Sequence, residues 1–142
     1  MVNRRATSWP TALGAVFSLG SATVHLLVAP EHFEEWWGYG MFFLAVGAAQ
    51  AAYGTLLIFN PSRQLFLLGI LSNLAVIALY VFTRTVGIPL FGPAAGTTEA
   101  VGPIDLASKV VEMVLVLTLI SMLVRVDTGS RLHIDPGRLL AR

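Results

Sequence analysis

Apolar residues fall in four long runs, at positions 11–29, 38–59, 65–86 and 106–124, separated by polar or glycine- and proline-rich stretches. Each run is 19 to 22 residues long. At about 1.5 Å per residue, a helix of that length covers roughly 30 Å, the thickness of a bilayer's hydrocarbon core. A membrane β-barrel would instead need alternating segments of about ten residues. The pattern predicts an all-α fold, a four-helix transmembrane bundle forming a single membrane domain over residues 1–142.

Each predicted helix carries one polar stripe. In the first, Gly14, Ser18, Ala22 and His25 share a face. Small residues about four apart let helix backbones approach closely in lipid, so His25 is expected to face the bundle, about one turn below the membrane surface. Pro30 is expected to end or restart this helix. Followed by Glu31, it suits a first helical position, so residues 31–37 are predicted as a short interfacial helix after the first span. Phe33, Trp36 and Trp37 would then lie at headgroup depth, with Glu31, Glu34 and Glu35 in water.

The second helix places Gln50 and Tyr53 near mid-membrane, beside Gly47, Ala51 and Gly54. On the third, Gly69, Asn73, Tyr80 and Arg84 form a stripe. The fourth begins near Pro103, with Asp105, Lys109 and Glu112 on one face. Between the last two lies the segment 87–105, long for a compact bundle. Its apolar residues Ile88, Leu90 and Phe91 predict that it folds back over the mouth of the bundle.

Composition agrees with the pattern. Charged residues make up 12% of the chain and mean hydropathy is +0.76, against about 25% charged in soluble domains. The basic residues set an orientation. Arg4, Arg5, Arg63, Arg125, Arg131, Arg138 and Arg142 all fall on one side of a four-span topology. The positive-inside rule makes that side cytoplasmic, with both termini and the tail 125–142 inside. Glu31, Glu34, Glu35, Glu99 and Asp105 fall on the other side. The first apolar run is longer than a signal-peptide core and no A-x-A site precedes Pro30, so it is expected to remain as an anchor. A net charge of +1 without a long basic run argues against nucleic acid as a partner. The absence of cysteine removes disulfide and thiolate chemistry.

Ionisable groups within a membrane cost about 3 kcal/mol each even on lenient scales, which makes them candidates for function. Two kinds of site are open. A metal site would draw on His25 and Glu112 with His32, Glu35, Glu99 or Asp105, a donor set suited to a divalent metal such as zinc, iron or manganese, with copper also allowed. Against it, His25 and His32 are seven residues apart, roughly 10 Å along a helix, and the paired Glu-x-x-His motifs of di-iron bundles are missing. A lone intramembrane histidine also argues against a bis-histidine haem. The other kind is a pocket for a small amphiphilic ligand such as a quinone, a lipid or an organic molecule, lined by Tyr80, Arg84, Gln50, Asn73 and Lys109.

The structural alternative is that Arg84 and Lys109 only neutralise Asp105 and Glu112 while Gln50 bonds Asn73, holding the helices together. The chain would then be an accessory or structural subunit of a larger membrane complex, or a homo-oligomer, with Ala45, Ala48, Ala49 and Ala52 as a contact stripe. His133 reads as tail, and the aromatic run around Trp36 as an interfacial belt. No motif names a reaction, so the sequence leaves open whether the protein is an enzyme. The lack of repeats and broken helices speaks against the usual carrier layout.

The run VHLLVAPEHFEEWWGYGMFF (residues 24–43), with Gln50, the later RTVGIPLFGP (residues 84–93) and Glu99, resembles an uncharacterised family of small bacterial four-helix integral membrane proteins. That resemblance implies the fold and the bacterial inner membrane, and no activity.

Overall fold

The structure, a computed structural model, describes residues 9–87 and 91–131. It contains four α-helices: α1 (Trp9–Glu35), α2 (Trp37–Phe59), α3 (Arg63–Thr85) and α4 (Pro103–Arg131). All four are long and apolar enough to cross a membrane. Within lipid a helix satisfies its own backbone groups, which is why uninterrupted apolar runs settle into this form.

The expected separate interfacial helix is not there. Pro30 lies inside α1, which continues to Glu35. A proline ring removes the N–H that would bond the carbonyl four residues back, here that of Leu26. The ladder nevertheless closes again beyond it, with Trp36 N donating to the His32 carbonyl at 3.0 Å. The break falls at Trp36 instead, a single extended residue (φ −169°, ψ 137°) between α1 and α2. Its carbonyl takes the Tyr39 and Gly40 N–H groups at 3.0 and 3.3 Å, starting α2 at once.

The other connections are built differently. Residues 60–62 join α2 to α3, and the Ser62 hydroxyl caps α3 by accepting from Leu65 N at 3.3 Å. Gly87 leaves α3 with φ +81°, in a place where a Cβ would run into the Thr97 carbonyl, so both backbone and space call for glycine. The described part of the following loop turns back over the bundle. Glu99 N donates to the Thr83 carbonyl at 3.2 Å, and the Tyr39 hydroxyl donates to the Phe91 carbonyl at 3.2 Å. Ile88 and Leu90, also expected in that covering segment, lie outside the described residues, as does His133. Pro103 opens α4, and the Asp105 carboxylate reaches back to the Gly102 N–H at 3.3 Å, as a capping residue three positions into a helix does.

Packing is uneven around the bundle. α1 packs against α2 and α4, and α3 packs against α4. α2 and α3, although consecutive, share no comparable helix–helix contact among the described residues. The tightest seam is α1–α2. Gly47 and Gly54 lie against the Ala22 and Ala15 carbonyls, and a Cβ at either would come within 3.2 Å of that oxygen. Between them, Ser18 Oγ donates to the Gln50 carbonyl at 2.7 Å. One apolar core, built on Leu57, Phe66, Ile70, Leu115, Val116, Leu119 and Met122, fills the end of the bundle nearest the α2–α3 turn. The polar groups gather toward the opposite end, where Trp36 sits, and α2 and α3 diverge along the side between.

Candidate functional site

Glu112 is the hub of the polar layer. It is 0% exposed and is reached from α1, α2 and α4. Lys109 Nζ, one turn earlier on α4, stands 2.6 Å from Oε2. Oε1 accepts from Ser21 Oγ at 3.1 Å and from Gln50 Nε2 at 3.4 Å. Gln50 Nε2 also donates to Asn73 Oδ1 at 3.4 Å, and Asn73 Nδ2 donates to the Gly69 carbonyl at 2.8 Å. The Gln50–Asn73 bond draws α3 into the same network.

His25 and Glu112, expected at one depth, face each other. Nε2 of His25 is 3.5 Å from Glu112 Oε1. The other ring nitrogen, Nδ1, is 2.9 Å from the Ser21 carbonyl. A carbonyl can only accept, so Nδ1 carries a hydrogen. A neutral His25 then turns a lone pair toward the carboxylate oxygen, and only a proton placed between them makes that contact attractive. The contact brings α1 and α4 together at this depth.

A second ionic group lies nearer the Trp36 end. Arg84 bonds Glu99 and, at 2.8 Å, Asp105, and its Nη1 also reaches Thr83 Oγ1 at 3.1 Å. Its guanidinium carbon lies 4.8 Å from the Tyr80 ring centre, with Lys109 Nζ 5.6 Å from the same ring. The tyrosine face is thus held against two cations. Together the two groups place three carboxylates, those of Glu99, Asp105 and Glu112, against the Arg84 and Lys109 side chains.

Between these groups and the aromatic end lies a cavity of about 510 Å³. Its apolar walls come from Val24, Val28, Phe42, Phe43, Leu79 and Phe82, and its rim from Trp36, Trp37, Tyr39 and Phe91. His25, Tyr80, Arg84, Glu99, Asp105, Ser108 and Lys109 supply its polar wall. Three of these residues hold a buried polar atom with no hydrogen-bond partner among the described residues: Tyr80 Oη, Arg84 Nε and Ser108 Oγ. Ser108 is only 3% exposed, a costly place to leave a hydroxyl unbonded.

Of the residues singled out as ligand-binding, Tyr80, Arg84 and Lys109 line this cavity. Gln50 and Asn73 line a second one of about 270 Å³, deeper between α2 and α3. The six candidate metal ligands do not converge. His25 pairs with Glu112, His32 with Glu35 at 3.1 Å, and Glu99 and Asp105 with Arg84. The physical reason is the unbroken α1, which keeps the two histidines two turns apart. Phe43 fills the gap between them, its ring centre 4.0 Å from that of His32 and 5.8 Å from that of His25. Among the described residues no group of three His, Asp or Glu can hold a metal ion. The alanines expected as a contact stripe, Ala45, Ala48, Ala49 and Ala52, are all exposed.

Ser21 and Ser108 escaped the sequence reading. Each lies four residues before a group it did select, His25 and Glu112, and so shares that group's face. The spacing was the available signal, but serine is common in membrane helices and marks no site by itself. Compared with family models, with curated proteins and with solved structures, the chain matches none of them.

Proposed function

We propose that this is a binding protein for a neutral, ring-bearing amphiphile taken from the bilayer, with a quinone as the model chemistry. The observation that carries this reading is the cavity itself: an aromatic rim over a polar wall that leaves Tyr80 Oη, Arg84 Nε and Ser108 Oγ without partners. Arg84 Nε can only donate, and the two hydroxyls can donate. Such a wall suits a ligand that brings acceptor oxygens, as carbonyl or ether groups do. Its charges are already matched by Glu99, Asp105 and Glu112, so an anionic head would gain little and would displace existing pairs. The flat rings of Trp36, Phe43 and Phe91 favour a flat partner.

The test uses dimethoxybenzoquinone, a tailless quinone that quenches tryptophan fluorescence, on detergent-purified Trp9→Phe protein. That background leaves Trp36 and Trp37 as reporters at the rim. Quenching is expected to saturate, and Tyr80→Phe or Ser108→Ala should each weaken the apparent affinity about fivefold, the worth of one neutral hydrogen bond. Linear quenching, identical in all variants, would sink the reading.

The same proposal places the protein in a bacterial inner membrane with both termini cytoplasmic. Seven of nine basic residues lie on the side of the termini and the 60–62 turn. The cavity then opens toward the periplasm. A reporter fused after Arg142 should be active only if it is of the cytoplasmic type, and periplasmic activity there would invert the topology.

A further inference from the structure

We infer that the ligand is long-tailed and that its tail lies in a slot between α2 and α3 that opens sideways to the bilayer. This rests on the binding function proposed above and adds to it the ligand's class and its route.

Three observations support the slot. First, the helices enclose the bundle on three sides only, since α2 and α3 lack the packing that joins α1 to α2, α1 to α4 and α3 to α4. Second, the two cavities follow one another down that open side. On α2 the wall residues run from Trp37 to Phe43 in the larger cavity and from Val46 to Tyr53 in the smaller one. On α3 they run from Arg84 to Val76 and then from Val76 to Leu68, so Val76 is a wall of both. The span from Gly38 to Tyr53 is roughly 22 Å of helix, most of the way through a hydrocarbon core about 30 Å thick. A compact molecule would occupy only the upper part.

Third, the lower slot is apolar and open. Ala49, Leu68 and Ser72 in its walls are exposed, Leu68 by 58%, and the Ser72 hydroxyl is spent on its own helix, donating to the Leu68 carbonyl at 2.8 Å. Among the described residues two hydrogen bonds cross it, Gln50 to Asn73 and Tyr53 Oη to the Leu65 carbonyl at 3.1 Å, and the Tyr53 ring end lies against Gly69. A chain sliding in from the lipid need break no ion pair, because those of Arg84 and Lys109 connect α3, α4 and the loop and do not bridge α2 to α3. A phospholipid fits poorly, since its phosphate would need a free cation at the head. A neutral head on a single long hydrocarbon or isoprenoid tail meets both ends of the site.

The probe is a dimethoxybenzoquinone carrying a decyl tail that ends in a diazirine, added to the full chain in lipid nanodiscs and photolysed. Label is expected on residues 46–53 and 68–76. Ala49→Phe and, independently, Ser72→Phe fill the lower slot from exposed positions and should reduce that labelling at least fivefold. Saturable quenching by the tailless quinone is scored in parallel on the unsubstituted slot. If it saturates while the tail label falls outside those segments, or ignores both substitutions, the slot is wrong and the head site stands. If neither quinone gives saturable quenching, the slot and the binding function fall together.

Discussion

Glu112→Ala should destabilise the bundle by about 3–5 kcal/mol, the cost of breaking a buried ion pair by removing one partner. Glu112 is fully buried and accepts from Lys109, Ser21 and Gln50 at once. Its loss strands the Lys109 ammonium, whose side chain is 13% exposed, leaves the Ser21 hydroxyl without its acceptor, and leaves Gln50 Nε2 with Asn73 alone. Removing both charges is a different matter, since no uncompensated ion remains. The double variant Lys109→Met/Glu112→Leu is therefore expected to recover most of the loss. Unfolding in mixed micelles with increasing dodecyl sulfate measures all three proteins. A double variant as unstable as Glu112→Ala would show that the ion pair is not what makes the single change costly.

Gly47→Leu should cost about 3 kcal/mol, at the upper end for overpacking. A Cβ at Gly47 would stand 2.8 Å from Leu26 Cγ and 3.2 Å from the Ala22 carbonyl oxygen. Leu26 can turn aside, but the carbonyl belongs to the α1 backbone, so α1 and α2 must separate. The 2.7 Å bond from Ser18 to the Gln50 carbonyl lies one turn along the same seam and would be lost with it. Gly20 provides the control, because a Cβ there meets nothing within 4 Å. Gly20→Leu is expected to stay within about 0.5 kcal/mol of the parent. The same unfolding assay compares them, and equal tolerance at both positions would mean that the α1–α2 seam is not limited by backbone contact.

The helices were legible because hydrophobic length alone decides them in lipid. The end of the first was not. Proline is read as a boundary for the single hydrogen bond it removes, yet in α1 the ladder resumes beyond Pro30, and the real break sits at Trp36, which carries no breaker residue. Spacing also exposed the inward stripes: three- and four-residue steps place His25, Asn73, Lys109 and Glu112 on buried or half-buried faces. Azimuth around the bundle was out of reach. Nothing in the order of residues says that α2 and α3, joined by the shortest polar turn, are the pair that diverges. Nor does it say that Phe43 would insert between the histidines and divide the acidic and imidazole groups into three. Both follow from the close glycine seam between α1 and α2, which fixes where α2 can point.

Lys109 and Glu112 belong to one helix, a single turn apart. For a chain that enters the bilayer helix by helix, this spacing has a bearing on biogenesis. A lone ammonium or carboxylate at the centre of a helix weighs against translocon insertion by about 3 kcal/mol. On α4 each charge can discharge the other before the segment packs against the three helices that precede it, so it partitions as a nearly neutral one. When α4 docks, its already paired carboxylate meets donors waiting on the earlier helices, Ser21 of α1 and Gln50 of α2, and the polar layer is completed without carrying an unpaired charge through hydrocarbon.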